Sequence, residues 1–169
     1  MFSKSEIEKY FMAEKSAAMW LMIFAGVLFI AVLVIWIIQK NEISKGMFFP
    51  FLLFLILAFA SGYGAYKKSD GIRKSVIYAF DMNPSKLQHE ELPRLQKLGK
   101  RISRLMIAEI ILLISGGVLL FLYYKNGTPV LFGLGTGLII VALIALLFNY
   151  PSYLRTERYL EGIKLMVQH

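Results

Sequence analysis

The stretch Ala17–Ile38, AAMWLMIFAGVLFIAVLVIWII, contains no charged side chain, and it decides the class of fold. At about 1.5 Å of rise per residue, a helix of this length crosses the hydrocarbon core of a bilayer, which is about 30 Å thick. Three more apolar stretches of similar length follow it, at Gly46–Tyr66, Leu105–Tyr124 and Pro129–Tyr150. The sequence therefore predicts an all-α, polytopic membrane protein with four transmembrane helices.

The positive charges between these stretches are distributed unevenly. Of the 19 Lys and Arg residues, 16 lie before the first stretch, in the loop 67–104 or after the fourth stretch. Because cytoplasmic segments retain Lys and Arg, we expect both termini and this loop to be cytoplasmic. The same topology, with its contact to anionic lipid, accounts for the net charge of +8, and no nucleic-acid partner is expected.

The composition limits the remaining possibilities. The 169 residues suffice for one membrane domain, and the chain contains no Cys, which excludes disulfides, thiolate catalysis and Cys-based metal sites. No phosphate-loop, nucleophile-elbow or zinc-protease motif occurs. We therefore predict no catalytic residue, metal or cofactor, and the bilayer itself is the first expected partner.

The amino terminus carries the signals of a helix start. Ser3 and Glu6 have the spacing of a capping box, and Phe2 with Ile7 matches a hydrophobic staple. No Pro and only one Gly follow before the end of the first span. We expect one helix of about 35 residues, about 50 Å long, which projects beyond the bilayer.

The middle of the chain carries further helix signals. The second span should begin after Gly46, with Pro50 in its first turn. Apolar residues recur at helical spacing after Gly71, until Asp81-Met82-Asn83-Pro84 breaks the helix. A further helix should feed into the third span, and Pro93 should mark either its first turn or a kink in it. We expect these extensions to pack as a charged, helical collar on the cytoplasmic side.

The segment after Pro151 is predicted to extend the fourth helix. Leu160, Ile163 and Val167 fall on one face, and the segment also carries the charged residues Arg155, Glu157, Arg158, Glu161 and Lys164. We expect these charges to face water.

A weak internal repeat relates the two halves of the chain. Lys-Asn follows the first span at residues 40–41 and the third span at residues 125–126, and a Tyr-x-x-Tyr pair ends the second and fourth spans. The repeat predicts two similar helical hairpins in the same orientation. The alternative explanation is that Tyr is common at membrane interfaces.

Glu109 is the one formal charge within a span, and it lies about 7.5 Å deeper along its helix than Arg104. An ionised carboxylate there is costly unless it is paired, hydrated or protonated. It could handle a proton or cation, or anchor a bound polar group. The structural alternative is an internal partner such as Arg104, Tyr63 or Lys67, which would tie the third helix to the second.

Further carboxylates lie near the expected collar. Glu90 and Glu91 beside His89 suggest a metal or acid–base site, but metal-ligand spacing is missing, and we favour two acids that complement the dipole of the helix starting near Pro93. Glu14 should pair with a cation of the loop 67–104. The candidate binding residues are Glu14, Tyr63, Glu90, Glu91, Arg94 and Glu109.

Two short motifs suggest a family. The segments 9–15, KYFMAEK, and 90–95, EELPRL, together resemble a family of small four-span bacterial membrane proteins to which no activity is assigned. The resemblance covers almost the whole chain and implies the same number of spans.

Three classes of function stay open. The first is a non-enzymatic inner-membrane protein that binds a protein partner, as an immunity or regulatory subunit. The second is an oligomeric channel, small transporter or lipid-binding bundle that uses Glu109. The third is a membrane-embedded enzyme in which Glu14, Glu90, Glu91 and Glu109 converge at the interface.

Overall fold

A computed structural model describes residues 3–167 of the chain, and this part is helical with no strand. Four long helical segments are connected by short turns, and each is long and apolar enough to span a membrane. The helices are α1 (Lys4–Gln39), α2 (Glu42–Met82), the single turn α3 (Pro84–Lys86), a π-helical turn (Leu87–Glu91), α4 (Leu92–Asn126) and α5 (Pro129–Val167).

The start of α1 confirms the predicted capping box. The Ser3 backbone N–H donates to Glu6 Oε2 at 2.9 Å, which satisfies one of the groups that a helix end leaves unpaired. Phe2 of the predicted staple lies outside the described residues, whereas Ile7 is fully buried. The helix then runs for 36 residues without a break.

The start of α2 differs from the prediction. The helix begins at Glu42, because the Asn41 side chain caps it by accepting a hydrogen bond from the Ser44 backbone N–H at 2.8 Å. The prediction that Pro50 lies in the first turn was therefore wrong, since Pro50 is inside the helix. The predicted break before Pro84 is confirmed, because α2 ends at Met82.

The helices pair as two hairpins, α1 with α2 and α4 with α5, which meet where α2 packs on α5. The starts of α2 and α5 lie side by side, so these two helices run in parallel. Gly46 faces the Val130 backbone and Gly133 faces the Ile43 backbone, so closely that a Cβ on either glycine would collide with it. Glycine at both positions therefore permits this close helix contact.

Two hydrophobic cores hold the helices together. The first core lies in the part of the bundle formed by the four apolar stretches, which we call the apolar section. It joins α1, α2 and α5, with Phe51, Phe54 and Val141 among its buried residues. The second core joins all four long segments, and it buries Phe11 and Leu95. It lies at the end of the bundle opposite the turns at residues 40–41 and 127–128. We call this end the collar; it consists of residues 4–15, 67–104 and 151–167.

Candidate functional site

The structure brings three of the six candidate residues together inside the collar. Glu14 from α1, Glu91 from the π-helical turn and Arg94 from α4 interact with one another. Glu90 is exposed beside them, where it lines a small cavity of about 190 Å³ together with Glu91 and Arg94. Glu109 and Tyr63 lie elsewhere in the bundle.

The π-helical turn places Glu91 in the collar core. The Leu92 N–H donates to the carbonyl of Leu87, five residues earlier, and Pro93 follows directly. Because Pro lacks an N–H and its ring crowds the carbonyl four residues before it, a wider turn accommodates it. Glu91 is consequently 4% exposed, whereas Glu90 faces outward.

This geometry corrects the interpretation of Glu90 and Glu91 as acids at a helix start. The chain is helical without interruption from Pro84 to Lys125, so Pro93 marks no free helix end whose dipole the acids could complement. The helix start lies instead at Pro84, where the missing N–H is tolerated.

Glu91 and Arg94 form a bidentate pair. Arg94 Nε donates to Glu91 Oε2 and Arg94 Nη2 donates to Oε1, both at 2.7 Å. The Arg94 guanidinium also lies 5.5 Å from the centre of the Phe11 ring. Burial opposes its charge, but the bonds to Glu91 outweigh this effect and raise the pKa of Arg94. Arg94 is thus held as a fixed cation between α4 and α1.

Glu14 faces this cation from α1. Burial raises the pKa of Glu14 above its usual value, because desolvation outweighs the attraction of Arg94, the Tyr10 hydroxyl and Arg155. Arg94 belongs to the loop 67–104, from which a cation for Glu14 was expected. The cluster therefore contains the buried carboxylate of Glu91, the partly buried carboxylate of Glu14 and two arginines.

Two stacked tyrosines cover one side of the cluster. The rings of Tyr10 and Tyr159 lie 4.0 Å apart and 6° from parallel, and Tyr10 Oη lies 3.4 Å from Thr156 Oγ1. Burial raises the pKa of both tyrosines. Both hydroxyls therefore stay protonated at neutral pH, so neither adds charge to the cluster.

Sequence reasoning missed the members of the cluster on α5. Arg155 was expected to face water, but its Nε is buried and has no hydrogen-bond acceptor within residues 3–167. Thr156 and Tyr159 are buried as well. The spacing of Tyr10 and Glu14, four residues apart on one helix face, was an available signal for the part on α1.

Glu109 lies in the apolar section of α4 and faces α5. The Asn149 side-chain amide donates to its Oε1, and the residue is 7% exposed. The three predicted partners do not bind it. Tyr63 and Lys67 lie on α2, whereas α4 packs on α5 rather than on α2. Arg104, on the same helix as Glu109, donates instead to the Lys100 carbonyl.

The remaining candidates do not converge with Glu109. Fifteen residues separate it from Arg94 on a continuous helix, which corresponds to about 22 Å. Tyr63 is 59% exposed on α2, and the Lys67 ammonium lies 5.9 Å from its ring centre. The four-carboxylate centre expected for an enzyme is therefore not formed.

The arrangement in the collar is an ionic cluster around one ion pair, Glu91 with Arg94, on a single continuous helix. Between residues 3 and 167, no three His, Asp or Glu side chains are grouped so that they could hold a metal ion. The bidentate pair joins the π-helical turn to α4 within one continuous helix, and Glu14 of α1 and Arg155 of α5 face it without a salt bridge to it among residues 3–167. The chemistry available is charge pairing and hydrogen bonding.

Comparisons with known proteins add no family to this picture. No protein-family model, curated protein or solved structure matches the chain.

Proposed function

We propose that this chain is a multi-pass protein of a bacterial inner membrane, with both termini and residues 67–104 in the cytoplasm. The 16 cations of the collar support this topology, because only three Lys residues lie near the opposite end. An alkaline-phosphatase fusion to the carboxyl terminus should be inactive, whereas fusions at residue 41 or 127 should be active. An active carboxyl-terminal fusion would refute the proposed orientation.

Within this membrane, the proposed function is the non-enzymatic binding of a protein partner, as an immunity or regulatory subunit. One observation carries the proposal: each of the two buried carboxylate centres is closed by a partner from the chain itself. Glu91 is paired with Arg94, and Glu109 is bonded to Asn149. A catalytic or transport centre must be accessible to its substrate, whereas carboxylates that are paired within the chain stabilise the fold of a binding protein.

The surface favoured for the partner is the exposed face of α4. In the apolar section α4 packs mainly on α5, and Ile110, Ile114 and Phe121 are between 48% and 67% exposed on one face. Gly117 lies among them, and a Cβ there would contact nothing. Small residues let the backbone of another helix approach closely, so this face suits a partner helix better than lipid alone.

Photocrosslinking in native membranes tests this proposal. A crosslinking amino acid at Ile114 or Phe121 should give a discrete adduct with another protein. The matched control is Leu53 or Leu57 of α2, each 59% exposed, where only lipid adducts are expected. Lipid adducts alone at the α4 positions, or equal protein adducts at both helices, would refute the α4 interface.

The second candidate function is an oligomeric channel, small transporter or lipid-binding bundle. It is favoured by Glu109 Oε2, which is buried without a hydrogen-bond partner in the described part of the chain. An α4 adduct of twice the chain mass, together with cation or proton flux in liposomes that Glu109→Gln abolishes, would favour this function. Glu42→Gln, an exposed carboxylate near the opposite end, is the control.

A further inference from the structure

A second cavity of about 360 Å³ lies in the collar as an open groove between α1 and α5, separate from the α4 face. Its lining includes the side chains of Lys9 and Tyr10 from α1, and of Arg155, Arg158 and Tyr159 from α5. Lys9 and Arg158 are exposed to solvent, whereas Arg155 is partly buried at the wall of the groove. The groove thus combines three cations with two aromatic rings.

The carboxylates around these cations balance them only in part, since Glu14 attracts Arg155 and Glu6 lines the groove. None of the three forms a salt bridge within residues 3–167, although other collar cations do, such as Lys4 with Asp81. The one acid that lines the groove is Glu6, which already accepts a hydrogen bond from the Ser3 N–H. The lining therefore has an excess of positive charge, which favours an anionic occupant.

Arg155 supplies a second and independent indication. Its Nε–H is buried without an acceptor in the part of the chain that the structure describes. Buried donors normally have partners. The planar guanidinium matches the geometry of a phosphate group, which can accept hydrogen bonds from two of its nitrogens. Protein atoms shield Nε from the groove in this conformation, so a phosphate there would satisfy this donor once the Arg155 side chain turned toward it.

The depth of the groove fits a phosphate that is carried by a lipid. Ala13 and Arg155, which line it, are four and five residues beyond the apolar stretches, or about 6 and 8 Å along their helices. The headgroup layer extends about 5–8 Å beyond the hydrocarbon core on each side. The part of the groove nearest the membrane, at Ala13 and Arg155, therefore lies at headgroup level in the proposed topology.

We propose that the groove lined by Lys9, Arg155 and Arg158 binds a phosphate group, carried by an anionic phospholipid or free in solution. Lys9 and Arg158 supply charge at the rim, and Arg155 donates from the wall. The lipid source rests on the proposed membrane topology, whereas binding of free phosphate does not. Neither depends on a protein partner at α4.

The experiment uses the full chain, purified in mild detergent and in nanodiscs. Native mass spectrometry measures retained lipid after mixing with phosphatidylglycerol or phosphatidylcholine, and a thermal-shift titration uses inorganic phosphate. The test variant is Lys9→Gln/Arg158→Gln. The matched control is Lys100→Gln/Arg101→Gln, which removes the same charge from exposed collar positions outside the groove.

A lipid site predicts preferential retention of phosphatidylglycerol, lowered about tenfold or more in the test variant and less than threefold in the control. A free-phosphate site predicts a saturable thermal shift with the same dependence on the variant. Equal loss in both variants, or no binding by the wild type, would overturn the proposal.

Arg155→Lys separates the built site from general electrostatics. This change keeps the charge that attracts Glu14 but removes the Nε–H and the planar fork. Weaker binding with unchanged thermal stability supports the proposed contact. Unchanged binding would overturn the role of Arg155.

Discussion

Replacement of Arg94 by Ala should be among the most destabilising single changes in the collar. Glu91, which is 4% exposed, would keep its charge and lose both of its 2.7 Å hydrogen bonds. Breaking a buried ion pair from one side typically costs about 3–5 kcal/mol, because the remaining charge is neither paired nor hydrated, and the 30% exposure of the Arg94 side chain places this pair at the lower end of that range. Loss of the contact between the guanidinium and the Phe11 ring adds about 0.5–1 kcal/mol.

The measurement is thermal unfolding in detergent at pH 7. For a chain of this size, each kcal/mol shifts Tm by about 2–4 °C, so Arg94→Ala should lower Tm by on the order of 10 °C. Glu91→Gln in the Arg94→Ala background removes the unpaired charge and should restore part of the loss. A Glu91→Leu/Arg94→Met pair, which replaces the ions by apolar groups, should be close to neutral.

The control is an ion pair of the same type at the surface. Lys4 and Asp81 are 2.6 Å apart, but their side chains are 48% and 40% exposed, so Asp81→Asn should cost less than about 1 kcal/mol. If Arg94→Ala lowers Tm no more than Asp81→Asn does, the pair of Glu91 and Arg94 does not stabilise the collar. The same conclusion would follow if Glu91→Gln failed to rescue any of the loss.

Three further changes test other parts of the structure. Burial raises the pKa of Glu14 above its usual 4.5. The stability that the protonated Glu14 side chain contributes is therefore present below pH 4.5 and is lost as pH rises through the raised pKa. Glu14→Gln should flatten this dependence when Tm is measured against pH. Gly133→Ala should cost about 3 kcal/mol by forcing α5 from α2, whereas Gly71→Ala, in open space, should stabilise by up to about 1 kcal/mol in denaturant titrations. Glu109→Gln should cost about 1–2 kcal/mol, and a double-mutant cycle with Asn149→Ala should give a coupling of about 0.6 kcal/mol.

Features that depend on neighbouring residues in the chain could be predicted from the sequence. The capping pair Ser3 and Glu6, the break before Pro84 and the four apolar helices all follow from local signals. Hydropathy over about 20 residues and side-chain caps act within one helix, so no knowledge of packing is needed to recognise them.

Features that depend on which helices pack together could not be predicted in the same way. The partner of Glu109 is Asn149 because α4 lies on α5, and nothing in the sequence near Glu109 specifies that neighbour. The wider turn before Pro93 is a similar case, since Pro usually begins or kinks a helix. Here the collar core, which buries Leu87 and Leu95 on either side, keeps the helix continuous.

Residues of α5 contribute to both carboxylate centres, since Asn149 binds Glu109 and Tyr159 stacks on Tyr10 beside the cluster around Glu91, and this explains why the candidate site was only half recognised. Asn149, Ser152, Thr156, Tyr159 and Ile163 follow one another at intervals of three and four residues, so they form one stripe along the helix. The stripe begins at Asn149, which binds Glu109, passes beside the ionic cluster at Thr156 and Tyr159, and ends in the collar core at Ile163. Because four of its five members carry a polar group and none is charged, neither hydropathy nor charge distinguishes it from a water-facing surface. Its periodicity of three and four residues across Pro151 is the signal that reveals a buried face.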